Sequence, residues 1–185
     1  MDETSVLKAF FEKAGEVGFY NVSYEELSEE LALEGSFLSQ QFPMPIDFLK
    51  ALLNNLDKIS PEPEDLSELT LKECLFECFM FRIEALNPYQ KGLKRIIVDL
   101  EKSFFCEGKM IFLLKDMTPY FLKSMAAILN QVGIDPQTPK KMALLIVYGL
   151  TLRVWARDET SDLSQTLQAL DHALDLLMLK YEGFA

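Results

Sequence analysis

Apolar residues return every three or four positions along almost the whole chain, which is the helical period and not the alternation of a strand. Between Thr4 and Val17 the residues Val6, Leu7, Phe10, Phe11 and Ala14 form one face, and Gly18 stands where such a helix would stop. A second helix is predicted after Ser23, whose hydroxyl can accept from the amide of Glu26 while Glu26 reaches back; Leu27 and Leu31 are its packing positions. Gly35 and Ser36 open a short third helix that runs through Gln41. The Phe-Pro-Met-Pro run at 42–45 then breaks the chain, and a fourth helix carries Ile46, Phe48, Leu49, Leu52, Leu53 and Leu56.

The acidic, proline-bearing segment 60–68 predicts a connector between a head, residues 1–58, and a body, residues 59–185. Body helices are predicted at about 69–86, 88–104, 108–131, 138–157 and 162–181. Pro119 falls inside the third of these and is expected to kink or split it, because proline lacks the amide and crowds the preceding turn. The fold class is all-α, with about nine helices.

Charge changes this picture in the head. The 185 residues carry a net charge of −11, and residues 1–58 hold four lysines against eleven acids. From Ala14 to Leu49 there is no lysine or arginine, whereas Glu16, Glu25, Glu26, Glu29, Glu30, Glu34 and Asp47 are all acidic. Such a surface repels nucleic acid. Apolar residues make up 49% of the chain, enough for a sizeable core, but the run from Met142 to Leu152 is too short to cross a bilayer. A cytoplasmic location is the expectation.

Candidate chemistry is sparse. Cys74 and Cys78 lie four apart on one helical face, where they read as small core residues, and Cys106 makes an odd third thiol. His172 is the only histidine, so histidine-based metal sites and paired-histidine catalysis are excluded. There is no glycine-rich phosphate loop, serine elbow or metal-spaced ligand set. We therefore expect no enzyme activity, no catalytic residue, no metal and no cofactor.

Phenylalanine and methionine are concentrated in the body. Phe79, Met80, Met110, Phe112, Met117, Phe121, Met125, Tyr148 and Trp155 exceed what one helical stripe needs; they suit a plastic apolar pocket, with ordinary core as the plainer alternative. The last helix repeats Leu163, Leu167, Leu170, Leu174 and Leu177, a stripe suited to a dimer seam. In the turn before it, Asp162 or Ser161 can cap the helix, and Arg153 or Arg157 can pair with Asp158 or Asp162.

The spacing of Gly18-Phe19, Ser23, Leu27, Leu31, Leu38 and Phe42-Pro43 resembles the head of the TetR family of one-component regulators. That resemblance implies a DNA-binding helix-turn-helix head, and a helical body that encloses a ligand and dimerises through its last two helices. Several diagnostic residues differ: Gly35 stands where the family often has lysine, Ser39 where it has tyrosine, and Met44-Pro45-Ile46 where it has Ser-Lys-Glu. Segments 81–96, 120–136 and 152–174 also resemble a bacterial TetR-like group related to the lipid-binding protein of coenzyme Q (ubiquinone) biosynthesis. Trp155, Asp158, Ser161-Asp162, Thr166 and Leu170-Asp171 carry that likeness.

The two resemblances together imply a homodimer that binds a hydrophobic or lipid-like small molecule, with DNA binding weak or lost and an accessory place in ubiquinone metabolism. The alternative is a repressor that reads DNA through Ser36, Ser39, Gln40 and Gln41, since glutamine pairs well with adenine. Duplex DNA is disfavoured as a partner because phosphate contacts fix a helix-turn-helix in register and supply most of its non-specific affinity.

Overall fold

The computed structural model describes the backbone of residues 2–34, 36–59, 68–103 and 109–180, and the side chains of these except 57–59, 100–103, 109–114 and 180. The described residues form nine α-helices and no strand. They are α1 (Glu3–Val17), α2 (Tyr24–Glu30), α3 (Phe37–Gln41), α4 (Pro45–Ile59), α5 (Leu71–Ala85), α6 (Gln90–Ser103), α7 (Lys109–Gln131), α8 (Thr138–Trp155) and α9 (Ser164–Lys180). Gly35, Cys106 and residues 60–67 of the expected connector lie outside the described residues.

Helix ends follow local chemistry. Asp2 accepts from the Thr4 amide at 3.1 Å and Ser23 from the Glu26 amide at 3.3 Å, which satisfies donors that a first turn leaves open. α1 stops at Gly18, where φ is +95°. Helix α7 closes with a bond from the Ile134 amide to the Leu129 carbonyl, 2.8 Å, through Gly133 at φ +72°. The expected break at Pro119 does not divide α7: the helix continues from Lys109 to Gln131 with the proline inside it.

The chain forms two compact units, residues 1–54 with 86–116 and residues 55–85 with 117–185. In the first, Phe48 is fully buried and stacks on Phe10 at 3.8 Å and on Phe42 at 4.1 Å, while Phe19 meets Phe10 edge-on at 5.7 Å. Leu27 and Leu38 complete this core. Helix α6 joins the same unit by packing on α1. A side chain at Gly92 would place its Cβ 2.2 Å from the Phe11 carbonyl oxygen, so the two backbones meet where only glycine fits. Lys91, beside it, pairs with Glu12 and Glu16 of α1.

In the second unit α9 packs on α8 and α5. Leu75, Phe79, Ile83, Met125, Leu144 and Trp155 are buried there. Cys74 and Cys78 are also buried. Burial raises the Cys78 thiol to about 11, so it remains protonated and packs as a small apolar residue.

Candidate functional site

The head presents a helix-turn-helix. Helix α2 ends with the Leu33 amide bonded to the Ser28 carbonyl at 2.8 Å, through Ala32 at φ +52°. This is the same closure that α7 makes with Gly133, built here on a residue with a Cβ. Leu38 anchors α3 in the core, and Ser36, Ser39, Gln40 and Gln41 are all exposed, so the four sequence candidates share the outer side of one short element. Ser39 donates its hydroxyl to the Ser36 carbonyl at 3.0 Å, which occupies its proton. Phe37 and Met44 are exposed beside these polar groups, a feature that periodicity did not reveal.

Electrostatics in the head favour the acids. Lys50 pairs with Asp47 at 2.8 Å, and Lys13 pairs with Glu30 at 3.5 Å. Asp47 also accepts from the Met44 amide at 3.0 Å, so it caps α4 while it holds the lysine. Glu25, Glu26, Glu29 and Glu34 face solvent. Burial, aided by the charge of Asp47, pushes the Tyr24 phenol up to about 12.

In the body, Phe79, Met80, Met117, Met125, Tyr148 and Trp155 are buried and Phe121 is half-buried, while the side chains of Met110 and Phe112 lie outside the described residues. Phe79 stacks on Tyr148 with centroids 5.5 Å apart. Sequence reasoning missed a polar pair in this apolar setting: buried Arg82 of α5 donates from Nη1 to the Ser124 hydroxyl of α7. Its only sequence signal is a charge one turn beyond Phe79, between the apolar Phe81 and Ile83.

The turn between α8 and α9 centres on Asp158, which is buried. Its carboxylate accepts from the amide and hydroxyl of Thr160 and from the amide and hydroxyl of Thr166. Burial alone would raise this carboxyl. The four donors outweigh it and hold the group at about 2. Asp162 caps α9 by accepting from the Ser164 amide at 3.1 Å.

The apolar stripe expected as a dimer seam divides. Leu170, Leu174 and Leu177 are buried inside the subunit, because α9 uses that face against α5 and α8, and Leu163 and Leu167 are half-buried. The three buried leucines therefore belong to the subunit core and cannot form an outer seam. Exposed apolar residues occur instead at Met142, Ile146 and Leu150 of α8, four apart, and at Leu176 and Leu179 of α9, with Ile146 at 58% and Leu179 at 80%. Lys72 of α5 bonds Asp171 at 2.7 Å and Asp175 at 2.6 Å.

Among the described residues no cluster of three potential ligands could hold a metal ion, and no helix is long and apolar enough to cross a membrane. No protein-family model matches the chain, and no curated protein matches it. Solved structures do match. A TetR transcriptional regulator from Nitrosomonas europaea superposes with a TM-score of 0.74 at 17% identity, covering 96% of this chain and 98% of that one. A putative TetR-family transcriptional regulator from Rhodococcus sp. gives 0.63 at 17% identity, covering 95% and 97%. A TetR transcriptional regulator from Rhodococcus sp. RHA1 gives 0.62 at 15%, covering 95% and 93%. The chain has the all-helical fold of TetR regulators over both head and body.

Proposed function

We propose that this chain is a TetR-type transcriptional regulator: a cytoplasmic homodimer whose body takes a hydrophobic small molecule and whose head meets duplex DNA through Ser36, Gln40 and Gln41. The observation that carries this reading is the helix-turn-helix itself, formed with the polar residues of α3 turned outward. The likeness to solved regulators, which runs through head and body alike, supports it. In this reading Ser39 contributes only acceptor capacity, since its proton is used within α3. The ligand region is the Phe- and Met-rich interior, where the flexible Met80, Met117 and Met125 are the side chains that yield to a guest. The seam between copies runs along the exposed Met142, Ile146 and Leu150 of α8 and Leu176 and Leu179 of α9.

A second reading has its own observation, the absence of any lysine or arginine between Ala14 and Leu49. In it the head has lost its DNA role and the protein is a lipid- or quinone-binding accessory in ubiquinone metabolism, as the resemblance of segments 81–96, 120–136 and 152–174 implies. One experiment separates the two readings: selection of genomic fragments by the purified full-length protein, with native mass spectrometry of the same preparation. A reproducible palindromic sequence supports the regulator. No enriched sequence together with a co-purified lipid or quinone would replace it with the second reading.

A further inference from the structure

Among the described residues of the second unit, the buried polar or charged side chains are Arg82, Ser124, Thr151, Asp158 and Thr166. Three of them answer to their own stretch of chain. Thr151 donates to the Val147 carbonyl one turn earlier in α8 at 2.9 Å, and Asp158 closes on Thr166 across the turn before α9. Arg82 and Ser124 are different: at 2% and 3% exposure they join α5 to α7 across 42 positions, with Nη1 donating to the hydroxyl.

That bridge does not require a charge. A serine hydroxyl is satisfied by a neutral amide, and a guanidinium costs far more to take out of water. Arginine also keeps its proton at every pH a folded protein meets. Its field is felt inside: one turn earlier on the same face of α5 it opposes the rise that burial imposes on the Cys78 thiol. Around α5, Arg82 lies about 60° from Phe79, whose ring stacks on Tyr148 of α8, and on α7 Ser124 adjoins the buried Met125. A fixed positive charge therefore stands at the edge of the Phe- and Met-rich interior.

We propose that the small molecule taken by the body is an apolar carboxylic acid, and that Arg82 and Ser124 receive its carboxylate. This rests on the ligand-binding reading above and adds the chemical class of the ligand. The guanidinium fork matches a carboxylate with two parallel N–H bonds, a match that an alcohol or ester does not offer. Ser124 accepts from Nη1 and keeps its own proton to give to the same anion.

The test is calorimetric titration of the full-length protein near neutral pH with decanoate against decanol, and with naphthoate against naphthalenemethanol. An apolar site without a charge favours the alcohol of each pair, because an ionised carboxylate loses more on leaving water. The native chain should instead bind an acid at least about tenfold more tightly than its alcohol, and the pair with the larger difference tells whether a chain or a ring carries the carboxylate. Arg82→Gln should reverse that preference, and Arg82→Lys, which keeps the charge, should retain it; an arginine that only braces the helices would lower both affinities alike. The comparison of acid with alcohol on the native chain needs no variant, so it decides the matter even if Arg82→Gln does not fold. Alcohols that bind as well as their acids, or a folded Arg82→Gln variant that still prefers the acid, overturn this inference while the ligand-binding reading stands. A native chain that binds none of the four probes overturns both.

Discussion

The head and the body bury their side chains by different rules. The head packs rings on rings, Phe10, Phe42 and Phe48 in a stack with Phe19 at its edge, and keeps the charged Glu25, Glu26, Glu29 and Glu30 outside, on the exposed face of α2. The body also buries rings but carries polar groups inward: Arg82 with Ser124, Asp158 with Thr160 and Thr166, and Cys78 donating to Gln131 at 3.8 Å. A buried polar group is costly unless it is matched, so those residues are tied to the fold. Of the seven acids between Ala14 and Leu49, Glu16, Glu30 and Asp47 pair with lysines of the same unit, whereas Glu25, Glu26, Glu29 and Glu34 face solvent and report on what the head meets. The polar residues of the body report first on how it folds.

Removing one ring from the head should have the largest effect on stability. Phe48→Ala deletes the side chain that touches both Phe10 and Phe42, and should cost about 3–5 kcal/mol in denaturant unfolding. A loss below about 1 kcal/mol would mean that the stack is not what holds the helix-turn-helix together.

A slightly smaller loss is expected from the body. Asp158→Ala leaves the donors of Thr160 and Thr166 without their acceptor and should cost about 3 kcal/mol. The pH dependence has a definite sign. The carboxyl lies at about 2 in the folded chain against an ordinary 3.8, so its contribution is complete above about pH 4 and disappears as pH falls through 2. Asp158→Asn should flatten the fall in stability over that window, and an unchanged acid limb would contradict the assignment.

The smallest expected effect on stability is the most informative about the head. Glu25→Lys combined with Glu29→Lys changes two exposed acids and should move stability by no more than about 0.5 kcal/mol per site. The same variant should bind random duplex DNA more tightly than the native chain. Unfolding of the head by these changes would show that its acidic surface is structural after all.

Much of this architecture was legible in the residues. Val6, Leu7, Phe10 and Phe11 marked the inner face of α1, Gly18 its end and Ser23 the start of α2, because caps and apolar periods act over a few neighbouring positions. The four polar candidates on α3 are where the pattern put them, since Leu38 alone orients that short helix.

What was not legible depends on distance or on symmetry of pattern. Arg82 and Ser124 are 42 positions apart, and nothing local links them. Helix α8 is apolar on every side, so periodicity cannot separate Val147 and Tyr148, which face inward, from Met142, Ile146 and Leu150, which face out. The leucine stripe of α9 was read differently from its place in the structure for another reason: the apolar face that would suit a partner copy is the face already used against α5 and α8. Of the kink or split expected at Pro119, the split does not occur, because one missing amide is outweighed by the rest of a 23-residue helix.

We infer that the head keeps the helix-turn-helix frame without the basic residues that anchor such a frame to phosphates. A salt titration of the purified protein on its best selected duplex decides this. Each phosphate neutralised by lysine or arginine adds about −0.9 to the slope of log affinity against log salt. With Lys13 and Lys50 engaged by Glu30 and Asp47, and no basic residue between Ala14 and Leu49, we predict a slope no steeper than about −2. Affinity should then fall only about tenfold between roughly 50 and 200 mM salt. A loss of about 1,000-fold or more over the same range is the signature of six or more phosphate contacts and would contradict the account.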